Sequence, residues 1–326
     1  MNLTCQEYVE KVIHGGELSH AEVMQLVREL SHDELLEAAK RVTRARAPRH
    51  FDFCGIVNAR SGACSENCAW CAQSHCWQTG CAQHGWIGTP ACLKAAQDAE
   101  SHGASRFALV TSGRAPTPYQ VREIAEALRV LHAETRLHLC VSIGLATKES
   151  LSELKAAGLE RVHCNLETAP SRFADFCTTH TVAEKISTLR AARELGLAIC
   201  CGGILGMGET REERIEFAFA LREIAPDSIP MNVLHPISGT PLEHLPPLAV
   251  DDLLETIALF RLVNPTIALR FAGGRRQISD EIAQKAMEIG INAGIAGNLL
   301  TTKGALYDDD RHLAQEAGYS VAPDLR

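Results

Sequence analysis

Short apolar runs alternate with amphipathic segments along most of this chain. Eight of the runs have the composition and length of buried strands: Phe51–Asn58, Arg106–Ser112, Leu137–Ile143, Arg161–Glu167, Leu197–Leu205, Ser228–Leu234, Thr266–Ala272 and Ile291–Gly297. The segments between them carry helix signals, such as capping boxes that start at Thr181 and Thr210 and glycine stops at Gly158 and Gly196. Eight strands, each followed by a helix, predict an α/β fold that closes as a parallel (β/α)8 TIM-type barrel. A doubly wound open sheet is the alternative, because periodicity alone does not establish closure.

The chain ahead of the first strand has a different pattern. It contains short helical segments with capping boxes that start at Ser19 and Ser31, and Pro48 marks its end. We therefore expect an N-terminal helical extension over residues 1–47, a barrel over residues 48–305 and a C-terminal tail over residues 306–326.

A group of cysteines follows the first predicted strand directly. Cys64, Cys68 and Cys71 are separated by three and then two residues, a spacing typical of iron–sulfur ligands. Three thiolates leave one corner of a cubane cluster open to a small molecule. The spacing therefore predicts a 4Fe-4S cluster and a radical enzyme that cleaves S-adenosylmethionine. A zinc knuckle completed by His75 or Cys76 is the less favoured alternative.

Composition narrows the class of protein further. The 326 residues are 46% hydrophobic and 22% charged, as in an ordinary globular chain, and the net charge of −8 gives no electrostatic basis for binding nucleic acid. The sequence has no secretory apolar region at its start and no apolar run long enough to span a membrane, so we expect a cytoplasmic protein. Its 13 cysteines should then stay reduced, which favours metal ligation over disulfides.

Polar and thiol side chains recur in the later predicted strands. Barrel enzymes carry their chemistry at the carboxyl ends of the strands, so these side chains should face one cavity. Each one alone is most simply a satisfied core residue, whereas together they indicate a ligand or a buried polar network. They are Cys140, Asn165, Glu167, Cys200, Asn232 and Arg270.

Several motifs occur in a fixed order along the chain. They are NARSGAC with CAQS (58–74), VHCNLET (162–168), CCGGILGMGET (200–210), MNV with GTP (231–241), and ALRFAG with LTT (268–302). Together they resemble the biotin synthase family. The resemblance implies a barrel enzyme in which Cys64, Cys68 and Cys71 hold the cluster that cleaves S-adenosylmethionine, while an auxiliary iron–sulfur cluster donates sulfur to dethiobiotin to form biotin. It also implies an electron donor such as flavodoxin or ferredoxin, and a homodimer.

The same resemblance assigns roles to individual residues. Those that would lie at S-adenosylmethionine are Asn165, Glu167, Lys185, Gly202 and Gly203. Those that would bind dethiobiotin are Asn165, Asn232, Thr301 and Thr302. The glycines fit a tight strand-to-helix turn equally well.

The auxiliary centre is where this chain departs from the family. The family pattern surrounds a 2Fe-2S cluster with three cysteines and an arginine, and the last three of these match Cys140, Cys200 and Arg270. Ala108 stands where the family has its first cysteine, and alanine cannot bind metal. The familiar cluster therefore cannot form with its usual ligands.

Other thiols are available to take the missing place. The candidates are Cys164, Cys76 and Cys81, which leads to the hypothesis of a remodelled auxiliary cluster of the two-iron or four-iron type. Strand alternation would turn Cys164 away from the cavity if Asn165 faces inward. Cys5 and Cys177 are expected to be buried packing residues.

Two other function classes stay open. A related radical enzyme of the hydrogenase-maturase or methylornithine-mutase kind would share the barrel and the cysteine triplet, and the loss at Ala108 is compatible with it. The segments that contain Asn232, Thr301 and Thr302 argue against it. A noncatalytic iron–sulfur carrier is the third class, although a carrier needs no large barrel with polar groups around an open iron site.

Overall fold

Strands and helices alternate along most of the chain in the computed structural model, which describes residues 4–297 and 307–326. The strands are β1 (Asp52–Arg60), β2 (Arg106–Thr111), β3 (His138–Ser142), β4 (Arg161–His163), β5 (Ala198–Cys200), β6 (Gly203–Leu205), β7 (Ser228–Val233), β8 (Ala268–Phe271) and β9 (Ile291–Ile295). The helices are α1 (Cys5–Ile13), α2 (His20–Glu29), α3 (His32–Arg46), α4 (Thr89–Ser101), α5 (Pro118–Glu134), α6 (Lys148–Ala156), α7 (Phe173–Phe176), α8 (Val182–Glu194), α9 (Arg211–Ile224), α10 (Val250–Val263), α11 (Asp280–Ile289) and α12 (Tyr307–Glu316).

The parallel strands close into a barrel. β1 pairs with β2 on one side and with β9 on the other. The remaining gap closes where Cys200 of β5 pairs with Ser228 of β7 and where Glu167 forms a bridge with Gly203. The predicted α/β barrel of the TIM type is therefore confirmed, and the open-sheet alternative is wrong.

The predicted fifth strand is divided into β5 and β6. Between them the chain passes so close to β7 that a Cβ atom on Gly202 would lie 2.1 Å from the carbonyl oxygen of Pro230. Each of the other predicted strands corresponds to one observed strand. The division is caused by a contact with a distant strand, and the local apolar pattern does not contain it.

The predicted fourth strand, Arg161–Glu167, is too long, because β4 ends at His163. Glu167 has a φ of 75°, a left-handed conformation that ends any extended strand. Asn165 and Glu167 therefore lie in the loop that follows β4 and not in the predicted strand.

The N-terminal helices pack on the outside of the barrel. The capping boxes predicted at Ser19 and Ser31 are present at the starts of α2 and α3. α3 lies against α10 and α11, with Val42 buried. The hydroxyl of Thr43 donates to the carbonyl of Ile289 at 2.5 Å, which ties α3 to the end of α11.

Candidate active site

A cavity of about 410 Å³ lies at the carboxyl ends of the barrel strands. This volume is in the range of small-molecule sites. The cysteine loop, residues 64–71, contributes Trp70 and Cys71 to its wall, and Ala108 of β2 also reaches it. Polar residues from the later strands and loops complete the lining: His163, Cys164, Asn165, Glu167, Lys185, Asn232 and His235. One cavity therefore touches both regions that the sequence singles out for metal chemistry.

Backbone hydrogen bonds hold the cysteine loop. The N–H of Cys64 donates to the carbonyl of Gln73 at 3.0 Å, and the N–H of Cys71 donates to the carbonyl of Cys68 at 3.0 Å. The N–H of His75 donates back to the carbonyl of Cys64 at 2.9 Å. The loop therefore has a defined conformation that keeps its thiols together.

The thiols of the loop lie close enough to affect one another. Burial raises the pKa of Cys71 to about 11, with smaller contributions from Cys64 and Cys81. Burial, followed by the neighbouring thiols of Cys177 and Cys71, raises the pKa of Cys68. Thiolates here need a compensating positive charge, and iron supplies one. Three soft sulfur donors in one loop thus fit an iron–sulfur cluster.

Cys177 lies directly behind this loop, in contact with one of its cysteines. Its Sγ is 3.8 Å from the Sγ of Cys68 and 3.3 Å from Nδ1 of His180. Nδ1 of His180 donates to the carboxylate of Glu66 at 2.6 Å, and Nη1 of Arg114 donates to the same carboxylate at 3.3 Å. Sequence reasoning treats Cys177 as a packing residue, but the structure makes it a polar neighbour of a predicted cluster ligand.

This contact leads to a first prediction. A Cys68 sulfur bound to iron would carry no proton, so at this 3.8 Å contact the S–H of Cys177 would become the donor. We expect Cys177→Ala to lower the reduction potential of the cluster, because such a donor to a ligating sulfur stabilises the more negative, reduced form. A weak bond of about 0.5–1 kcal/mol corresponds to a shift of roughly 20–40 mV for one electron. The measurement is a redox titration followed by electron paramagnetic resonance. Cys5→Ala on α1 is the control, and equal potentials in the two variants would contradict the prediction.

Two charged side chains, the partly buried Glu167 and the buried Lys185, stand on the cavity wall near the cysteine loop. Burial raises the pKa of Glu167, partly offset by Lys185 and by the hydrogen bond that Nδ2 of Asn165 donates at 3.4 Å. Burial alone would lower the pKa of Lys185, but Glu167 together with the thiols of Cys164, Cys68 and Cys201 raises it. Nζ of Lys185 also lies 5.7 Å from the centre of the Phe173 ring. The pair offers both a donor and an acceptor to a polar molecule in the cavity.

The predicted cofactor glycines lie against other backbone segments. A Cβ atom on Gly203 would lie 2.3 Å from the carbonyl oxygen of Glu167 and 2.6 Å from the ring of Phe217. The N–H of Gly202 donates to Oδ1 of Asn165 at 3.1 Å. These contacts alone require glycine at both positions.

A second prediction follows from the crowding at Gly203. We expect Gly203→Ala to destabilise the protein by about 2–4 kcal/mol, because the added methyl group meets backbone that cannot move aside. Gly85→Ala is the matched control, since nothing lies within 4 Å of a Cβ atom at that position. Urea unfolding followed by circular dichroism compares the two variants. A free energy of unfolding for Gly203→Ala as high as that for Gly85→Ala would disprove the argument.

A second group of thiols lies inside the barrel. Cys140 and Cys200 are both fully buried. Burial raises the pKa of Cys140 to about 11, and the thiol of Cys200 adds to this shift. Cys54 of β1, which sequence reasoning missed, packs with Ala108 and Cys140. Its position in a predicted strand was a signal, but the pairing of β1 with β2 is needed to see where its thiol lies.

Arg270 is 1% exposed and lies beside these thiols. Its Nη2 donates a hydrogen bond to the carboxylate of Asp52. Its Nη1 donates to the carbonyls of Asp52 at 3.0 Å and Gly294 at 2.9 Å, and its Nε donates to the hydroxyl of Ser228 at 3.2 Å. A guanidinium bonded in this way is a fixed positive charge next to the thiols.

The other candidate thiols are placed elsewhere. His163 pairs with Cys200 across β4 and β5, so alternation turns Cys164 away from the side of Cys200. Cys164 packs in the main core near Cys201 and reaches only the cavity wall. Cys76 is exposed, and Cys81 lies 4.0 Å from the hydroxyl of Ser61 beside the cysteine loop. The structure therefore does not bring Cys164, Cys76 or Cys81 into the buried thiol group.

Comparison with known proteins identifies the family. The Radical SAM superfamily model matches residues 59–221, and the model of the biotin and thiamin synthesis associated domain matches residues 230–320. The biotin synthase of Porphyromonas gingivalis is 46% identical over 98% of this chain and 97% of its own length. That of Parabacteroides distasonis is 42% identical over 98% of each chain. The chain belongs to the biotin synthase family. As a radical S-adenosylmethionine enzyme it uses a 4Fe-4S cluster and S-adenosylmethionine.

Two solved structures share the fold of this biotin synthase family member. Methylornithine synthase superposes with a TM-score of 0.81 at 17% identity, covering 97% of each chain. The FeFe-hydrogenase maturase HydG from Carboxydothermus hydrogenoformans gives a TM-score of 0.80 at 14% identity, covering 97% of this chain and 78% of the maturase. Identities this low show the fold alone. The maturase-like and mutase-like alternatives therefore gain nothing from them.

The dethiobiotin residues implied by the biotin synthase resemblance differ in how far the structure describes them. Asn232 lines the cavity, but its Nδ2 donates to the carbonyl of Gly203 at 2.9 Å and its Oδ1 accepts from the N–H of Gly273 at 2.8 Å. Its amide therefore joins two backbone segments of the wall. Thr301 and Thr302 lie outside the described residues.

Proposed function

We propose that this protein is a biotin synthase that inserts sulfur into dethiobiotin to form biotin. The observation that carries the proposal is the set of residues that line the cavity. It is lined by Cys71 of the cysteine loop and also by Ala108, which packs against Cys140. A substrate in this cavity would touch both metal regions at once, as the transfer of sulfur to a radical-activated carbon requires.

The cysteine loop would hold the radical-generating centre through Cys64, Cys68 and Cys71. When bound, the cluster supplies the electron that cleaves S-adenosylmethionine. Trp70 would keep water from this side of the cavity, because its ring packs edge-on against the ring of Phe173, with 6.2 Å between the two ring centres.

Polar residues of the cavity would position the two small molecules. Asn165, Glu167 and Lys185 offer hydrogen bonds on the side of S-adenosylmethionine, and Gly202 and Gly203 fix the backbone behind them. Residues proposed for dethiobiotin are Asn165, Asn232, Thr301 and Thr302.

An auxiliary iron–sulfur cluster that donates the sulfur is part of the proposal. Cys140 and Cys200 are its best supported ligands, because they are buried together beside the fixed charge of Arg270. Cys164, Cys76 and Cys81 have less support, because they lie outside this group. The cavity reaches the group through Ala108.

An anaerobic assay with reductant, S-adenosylmethionine and dethiobiotin tests the function. We expect both biotin and 5′-deoxyadenosine to form, and neither to form without reductant. Formation of 5′-deoxyadenosine without biotin would favour a related radical enzyme with another substrate. Formation of neither by protein with its full iron content would favour a carrier.

The cellular setting is also proposed from the family. A flavodoxin or ferredoxin would supply electrons, and the protein would act as a cytoplasmic homodimer without nucleic acid or membrane partners. Within the described part of the chain, no helix has the length and apolar character needed to cross a membrane. Residues 1–47, 48–305 and 306–326 would form the extension, the barrel and the tail.

A further inference from the structure

The position of Ala108 leaves a place in the barrel that a neighbouring strand can fill. In the pairing of β1 with β2, Ile56 lies opposite Ala108 and Cys54 lies opposite Arg106. Residues two apart on a strand share a face, so Cys54 points to the same side as Ile56, into the barrel. Cys54, Ala108 and Cys140 pack together there.

Cys54 also lies near the other two interior thiols. It is 1% exposed, and Cys140, Arg270 and Cys200 all contribute to its electrostatic surroundings. The contacts of these thiols are long: Sγ of Cys54 is 3.5 Å from the carbonyl of Gly55, and Sγ of Cys140 is 3.9 Å from that of His138. Such weak contacts leave the sulfur lone pairs available to a metal.

The charges around the thiols favour an anionic group. The positive charges of Arg106, Arg161 and Arg270 all favour the thiolate form of Cys140. The carboxylate of Asp52 is hydrogen-bonded to Arg106 and Arg270. Among the described residues, Nε of Arg161 and Nε2 of His163 are buried without a hydrogen-bond partner. Buried cations and unpaired nitrogens are costly unless a negative group lies nearby, and thiolates around an iron–sulfur cluster would be that group.

We propose that Cys54 is the third thiolate ligand of the auxiliary iron–sulfur centre, together with Cys140 and Cys200, in place of the cysteine that position 108 lacks. This inference rests on the proposed function, because it assumes that an auxiliary centre exists. Buried cysteines more often serve as small packing residues. Three of them at inward positions among three arginines are difficult to explain in that way.

Iron analysis of the anaerobically reconstituted full-length protein tests the ligand. We expect Cys54→Ala to lose the iron and sulfide beyond one 4Fe-4S cluster, to the same extent as Cys140→Ala. Formation of 5′-deoxyadenosine should persist, because the cysteine loop is unchanged. The matched controls are Cys92→Ala on α4 and Cys201→Ala, both buried and facing away from the interior group, and they should keep the iron.

Two further variants separate a lost ligand from a damaged fold. Adding Ala108→Cys to Cys54→Ala should restore the auxiliary iron by returning a thiol to the same pocket. Cys54→Ser keeps the side-chain size and should change the Mössbauer spectrum of the auxiliary centre. Full iron content in Cys54→Ala, or an unchanged spectrum in Cys54→Ser, would overturn the proposal. Wild-type protein with iron for one cluster alone would instead refute the auxiliary centre and the proposed function with it.

Discussion

Cys71→Ala should lose the radical-generating cluster and, with it, the cleavage of S-adenosylmethionine. Cys71 is the loop cysteine that lines the cavity, so its loss removes a ligand at the point where the cofactor would bind. Loss of groups that only support a metal ligand costs about 10–100-fold in affinity or activity, and loss of the ligand itself should exceed that range. The rate of 5′-deoxyadenosine formation and the iron content measure the effect.

Cys92→Ala is the control for this prediction. Cys92 is fully buried on α4, away from the cavity lining, so its variant should keep both iron and activity. Iron content equal to that of the wild type in Cys71→Ala would mean that the loop does not hold the cluster.

Local sequence patterns were sufficient for most of the fold. Apolar runs locate the strands, and polar capping residues such as Thr181 and Thr210 begin helices as predicted. The patterns fail where a contact between distant segments determines the backbone conformation. The left-handed conformation of Glu167 and the break at Gly202 both depend on packing between the loop after β4, the segment after β5, and β7.

The same distinction applies to the candidate site. The spacing of Cys64, Cys68 and Cys71 is local, so the chain itself displays it. The importance of Cys54 and Cys177 is visible only from their contacts with residues far away in the sequence. Cys54 packs against Cys140, and Cys177 contacts Cys68. A single sequence gives the identity of such thiols but not the register or the loop contact that places them.

Asp52→Asn should destabilise the protein by about 3–5 kcal/mol, because it leaves the buried guanidinium of Arg270 without its carboxylate. Glu281→Gln is the matched control: it removes an exposed ion pair with Lys285 and should cost about 0–1 kcal/mol. Urea unfolding of the two variants under the same anaerobic conditions gives the comparison. Similar free energies of unfolding would show that the buried pair is not a major stabilising contact.

The pH dependence of stability provides an independent check on Asp52. Burial alone would raise the pKa of this carboxyl group, but Arg270, Arg106 and Arg161 outweigh burial and lower it. A lowered pKa in the folded state stabilises the protein above the unfolded value of about 3.9, and this stabilisation is lost as the pH falls through the folded value. Asp52→Asn should therefore lose less stability than the wild type when the pH is lowered below about 4. Since Arg270 stays charged throughout this range, parallel curves for the two proteins would mean that Asp52 is not the carboxylate that balances it.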